Sequence, residues 1–219
     1  MKRLSTFLIL LFCAILSITA QRVIKVACVG NSITEGFGLQ HPETDSYPVV
    51  LGRLLGKNYD VRNFGVSAST LLLKGDYPYM MRPAYARALA FEPDIVTIKL
   101  GTNDSKPQNW KFKKYFAKDL CSMIKSFRKL KSRPVIFLCY PATAYAVQWG
   151  INNKVIENEM IPIINKVASK YKLKVIDTHR ATAGMKEHFP DNIHPDAVGA
   201  RVLAETIYNS LAIVRLSTK

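Results

Sequence analysis

The sequence predicts an α/β fold, a three-layer αβα sandwich built on a five-stranded parallel sheet. Two observations carry this. Short apolar runs rich in β-branched residues alternate with longer amphipathic stretches, and strands separated by helices pair in parallel through right-handed crossovers. Three polar turns, at residues 30–34, 63–65 and 101–104, each follow one of those runs directly. They therefore gather at the carboxyl edge of the sheet, where such folds bind ligands. The 219 residues are enough for one domain with a sizeable core.

The elements follow in order. Residues 23–29 form the first strand, and 47–56 a helix with Val50, Leu51, Leu54 and Leu55 on one face. Residues 59–64 are the second strand. Residues 82–90 are a helix stopped by Glu92-Pro93, and 95–100 are a β-branched third strand. Residues 110–131 have the clearest helix period, through Phe112, Phe116, Leu120, Met123, Ile124, Phe127 and Leu130, with Pro134 as the stop. Residues 135–140 are the fourth strand, 155–171 a helix kinked by Pro162, 173–177 the fifth strand, and 196–211 a closing helix with Asp196 near its start.

The N-terminus stands outside this pattern. Lys2 and Arg3 precede an apolar run at residues 4–18, and Thr19-Ala20 supplies a small residue for cleavage. Residues 1–20 thus read as a secretory signal peptide, leaving 21–219 as the mature domain, secreted or periplasmic. The run falls short of the ~20 residues of a comfortable membrane span, and no second long run follows, so no stable membrane insertion is expected. Three cysteines remain after cleavage, Cys28, Cys121 and Cys139. They sit in apolar settings as buried thiols, and no Cys/His spacing resembles a zinc site, so no metal or other cofactor is expected.

The chain has 31 Lys and Arg against 16 Asp and Glu, a formal net charge of +15. The excess clusters at residues 111–133. The plain reading is a solvated helix face; acidic polysaccharide, anionic lipid and nucleic acid are the alternatives. No DNA-binding motif accompanies the charge, so nucleic acid is not an expected partner. Composition leaves the oligomeric state open.

The polar blocks carry chemistry. Gly30-Asn31-Ser32 ends a strand in a turn that lifts a serine hydroxyl to the sheet edge. A serine hydroxyl needs a base to become a nucleophile. Of His41, His179, His188 and His194, His194 is the best placed, because Asp191 lies three residues before it and can fold back onto Nδ1. The backbone N–H groups of Ser32 and Gly65, with the side chain of Asn103, are the candidate oxyanion donors. Thr34 stands where G-x-S-x-G would have its second glycine, which argues against an ordinary α/β-hydrolase elbow.

Taken in order, Gly30-Asn31-Ser32-Ile33-Thr34, Gly65, Gly101-Thr102-Asn103-Asp104 and Asp191-x-x-His194 resemble the SGNH (GDSL-type) hydrolases. The one departure is Asn31, where the usual pattern has Asp. The resemblance implies a flavodoxin-like sheet and ester hydrolysis without metal. It implies Ser32 as nucleophile, His194 as base, Asp191 as its partner, and Ser32, Gly65 and Asn103 around the oxyanion. Residues 101–110 and the Asp191–Pro195 block look similar to the sialate O-acetylesterase and acetylxylan-esterase branches. An acetylated carbohydrate is therefore the expected substrate, with Tyr77 and Trp149 as candidate sugar-stacking rings. A lysophospholipase or thioesterase, with Leu71-Leu72-Leu73 lining an acyl groove, and a catalytically silent glycan binder are the alternatives.

Overall fold

The computed structural model describes residues 22–217, with side chains through residue 211. The leader expected at residues 1–20 lies outside the described residues. Five parallel strands form one sheet: β1 (Ile24–Gly30), β2 (Tyr59–Gly65), β3 (Ile95–Lys99), β4 (Val135–Cys139) and β5 (Lys174–Ile176). Their spatial order is β2-β1-β3-β4-β5. The chain winds outward one way from β1 to β2, then crosses back to β3 and continues the other way. The carboxyl ends of β1 and β3 therefore border the switch point, where the crevice of a doubly wound sheet opens. Register fixes this locally, since Gly30 pairs with both Gly65 and Lys99.

The period-2 alternation of the strands divides the core in two. Ala27, Val29, Val96, Ile98, Ile136 and Leu138 face one layer, with the helices Pro83–Ala90, Phe116–Arg128 and Ile161–Tyr171. Val26, Cys28, Phe137 and Cys139 face the other, with the helices Tyr47–Leu55 and Ala197–Ser217. Asp196 caps the latter, its Oδ1 accepting from the N–H groups of Val198 and Gly199 at 2.9 and 3.0 Å. Among the described residues no helix is long and apolar enough to cross a membrane.

Two helices differ from the periodicity. The stretch expected as one helix from residue 110 begins as a turn at Pro107–Trp110 and a 3-10 turn at Lys113–Tyr115, and the α-helix proper is Phe116–Arg128. Trp110 is bent back there, its ring 5.5 Å from that of Phe116 and its Nε1 donating to Glu159 at 2.9 Å. The helix expected over 155–171 contains a π-turn, Ile156–Met160, before the α segment Ile161–Tyr171. Pro162 then falls in the first turn of that segment, directly after the wide π-turn.

Candidate active site

β1 delivers Ser32 through a turn that tolerates little change. A Cβ on Gly30 would lie 1.9 Å from Thr34 Oγ1 and 3.0 Å from the Lys99 carbonyl oxygen. Asn31 caps the short helix Ser32–Glu35, its Oδ1 accepting from the Ile33 N–H at 3.1 Å. Thr34 is buried beneath, 3.1 Å from the Tyr47 hydroxyl. The serine hydroxyl is thus carried by a pinned turn.

The opposite side is a single loop. Asp191 Oδ1 accepts from the N–H groups of Ile193 and His194 at 2.9 and 2.7 Å. Its Oδ2 lies 2.7 Å from His194 Nδ1, and His194 Nε2 lies 2.8 Å from Ser32 Oγ. Buried Phe189 and Ile193 anchor the loop, and Asn192 takes φ +72° to close it. Burial pushes the Asp191 carboxyl upward, but the bonds from His194 and Ile193 outweigh this and hold it below the usual carboxylate range. The other histidines are placed elsewhere: His179 between Pro141 and Glu157, His188 on Asp196, and His41 beside Glu43.

Gly65, expected as an oxyanion donor, turns its N–H away from the cleft. Its N–H donates to Asn63 Oδ1 at 2.8 Å, and a Cβ there would meet the Glu35 backbone nitrogen at 2.2 Å. The glycine lets β2 approach the serine turn; it does not line the cleft. Ala68 does line it, beside Ser32, Asn103 and His194. Ala68 holds φ +61°, a left-handed conformation that favours glycine. Glu35 braces the loop by accepting from the Ser67 N–H at 2.8 Å and from the Ser67 hydroxyl. No bond to a described protein group takes the N–H of Ala68 or of Ser32. A positive φ at an alanine leaves no mark in the sequence, so spacing alone points to the nearby glycine instead.

Asn103 is buried, its Nδ2 donating one hydrogen to the Ser69 carbonyl at 3.2 Å. The second hydrogen of that amide is left for the cleft. Beneath it, fully buried Asp104 accepts from the N–H groups of Leu71 and Leu72 at 2.9 and 2.7 Å. Burial pushes the Asp104 carboxyl up to about 7 despite those bonds. Leu71 and Leu72 are themselves buried in the core and form no open acyl groove.

The cleft has a volume of about 190 Å³, small beside the ~300–1,000 Å³ of sites for drug-sized ligands. Its rim is aromatic. The rings of Phe37 and Trp149 lie 4.7 and 5.6 Å from the His194 imidazole, and both are about half exposed. Phe37, Lys106 and Ile151 also line it and were not among the residues singled out by motif. Tyr77 is not brought to the cleft; the Arg82 guanidinium covers its ring at 3.8 Å. Among the described residues no group of three or more His, Cys, Asp or Glu side chains is placed to hold a metal ion.

The sequence model of the GDSL-like lipase/acylhydrolase family matches residues 28–202, a span that holds the serine turn, the Asn103 block and the histidine loop. The chain belongs to this family. An acetylxylan esterase of Xylanibacter ruminicola is 46% identical over 202 residues, covering 84% of this chain and 42% of that protein. The chain thus spans less than half the length of this curated relative. Among solved structures, Est24, a carbohydrate acetylesterase from Sinorhizobium meliloti, matches with TM-score 0.68 at 19% identity, over 87% of this chain and 99% of that one. A two-domain esterase active on acetylated mannans matches with TM-score 0.67 at 21% identity, over 89% of this chain and 51% of that one. At such identities the structural likeness carries the fold: a five-stranded parallel sheet between helical layers, as the alternation in the sequence predicts.

Proposed function

We propose that this protein is a secreted serine esterase that removes O-acetyl groups from carbohydrate, with residues 1–20 as its cleaved leader. The observation that carries the chemistry is the hydrogen-bonded line from Asp191 through His194 to Ser32, at 2.7 and 2.8 Å. In this reading His194 Nε2 takes the proton of Ser32 as Oγ attacks the acetyl carbonyl. Asp191 holds the Nδ1–H tautomer and steadies the imidazolium that forms. The oxyanion receives the N–H groups of Ser32 and Ala68 and the free amide hydrogen of Asn103. His194 then protonates the departing sugar oxygen, and a water deprotonated by the same ring releases acetate from Ser32. The proposed steps need no cofactor.

The substrate class rests on separate support. The acetylxylan esterase likeness favours an acetylated polysaccharide, and so an extracytoplasmic place of work. The small cleft suits a two-carbon acyl group. Phe37 and Trp149 offer exposed faces for a pyranose ring beside His194. The test is acetate release from acetylated xylan, run beside 4-nitrophenyl acetate, butyrate and octanoate. Activity confined to acetate and to the acetylated polymer is the expected outcome. Rates that rise with acyl length would overturn the carbohydrate reading in favour of a lipid or thioester substrate.

A further inference from the structure

Lys106 is the one basic side chain besides His194 among the residues lining the cleft, and no Asp or Glu lines it. Its stem runs beside the rim loop, with Cβ and Cγ 3.8 Å from the position a Cβ on Gly150 would take. No ion pair or hydrogen bond to a described residue engages its ammonium. The acids near the site are already committed, Glu35 to Ser67 and Asp191 to His194. Lys111 and Lys114, on the turns after Lys106, and Lys74, brought in by the fold, surround the rings of Phe112 and Tyr115 at 4.6–6.0 Å. The neighbouring Lys113 is paired with Glu159, and Asp76 is held by Asn109. This basic and aromatic surface comes together only through the fold, because Lys74 is distant in sequence. The cleft thus opens with a cation free for a ligand.

We propose that Lys106 selects the substrate by pairing with a carboxylate carried on or beside the acetylated sugar. Uronate-bearing glycans are then deacetylated in preference to neutral ones. This rests on the esterase reading and narrows its substrate. A carboxylate at the mouth of a partly dry cleft gains more from a lysine than it would in open water. The net positive charge of the chain adds a long-range field that draws acidic chains in and weakens with salt.

The test compares acetylated glucuronoxylan oligosaccharides with the same oligosaccharides after conversion of their carboxylates to primary amides. For the wild type, kcat/KM for acetate release should favour the acidic form roughly tenfold, mainly through KM, and the preference should shrink as salt is raised. Lys106→Gln should bring the ratio close to one, Lys106→Arg should keep most of it, and Lys57→Gln, on an exposed turn, should leave it intact. Equal wild-type rates on the two forms would overturn the inference alone. So would a preference that survives in Lys106→Gln. Cleavage of 4-nitrophenyl acetate with neither oligosaccharide deacetylated would overturn the carbohydrate reading, and this inference with it.

Discussion

Two groups of polar side chains near the ends of β1 and β3 are treated oppositely. In the cleft, Ser32, His194, Asp191, Asn103 and Asp104 all have hydrogen-bond partners. On the sheet face below, near the thiol of Cys139, the buried Lys99 Nζ has none. Burial drives Lys99 down to about 8 and the thiols of Cys28 and Cys139 up to about 12. The reason lies in the elements. Loops can fold their N–H groups onto a carboxylate, as residues 192–194 do on Asp191. In a central strand the backbone groups are already spent on the ladder, so a side chain pointing into a helical layer finds no partner. The side chains of Ser32, His194 and Asp191 are aimed and partnered; the buried Lys99 ammonium weighs on stability.

That contrast can be broken or sharpened by substitution. The largest effect should come from the cleft. Asn103→Ala removes one proposed oxyanion donor and should lower kcat by roughly 10²–10³ with a smaller change in KM. Steady-state kinetics on 4-nitrophenyl acetate would read this, and an unchanged kcat would remove Asn103 from the oxyanion site.

The sheet face should respond in stability instead. Lys99→Met keeps length and apolar stem while removing the unpartnered ammonium. It should raise unfolding free energy at pH 7 by about 3 kcal/mol, from the size of the shift at 1.36 kcal/mol per unit. The pH dependence follows the sign of that shift. The folded state holds the Lys99 proton less tightly than the unfolded chain does, so unfolding takes up protons between about pH 8 and the ordinary lysine range. Wild-type stability should therefore gain from this group as pH rises through that window, with the full penalty present below it. Denaturant melts at pH 7 and pH 10 should show the gain in the wild type and not in Lys99→Met.

The smallest effect belongs to the loop between the two groups. Ala68→Gly relieves a positive φ at a non-glycine residue and should stabilise the fold by about 0.5–1 kcal/mol. A loss of stability in thermal melts would mean that the loop tolerates this conformation without strain.

The same division explains what could be read from the chain. Strands emerged within a residue or two because apolar alternation is a local property: 23–29 against Ile24–Gly30, 59–64 against Tyr59–Gly65. The Asp191 and His194 pair was legible because three residues of loop bring them together. Gly65 reads as an oxyanion donor from spacing, whereas its N–H is given to Asn63 and its lack of a Cβ serves close packing against Glu35, which spacing does not reveal. Ala68, Phe37 and Ile151 carry no motif and Lys106 is only a passing member of the 101–110 block; the fold assembles them at the cleft. Tyr77 reads as a candidate sugar-stacking ring, but nothing in the sequence tells that Arg82 covers it. The break before Phe116 and the π-turn at Ile156–Met160 lie hidden for a similar reason, since tertiary packing of Trp110 and the placement of Pro162 override the period.

The central claim is that Ser32, activated by His194, is the nucleophile. A fluorophosphonate, which reacts with activated serine hydroxyls, tests it most directly when followed by peptide mass mapping. One adduct per chain on Ser32 is expected, absent in Ser32→Ala and formed far more slowly in His194→Ala, with acetate release lost in step. An adduct on another serine, or full acetate release by folded Ser32→Ala, would contradict the account.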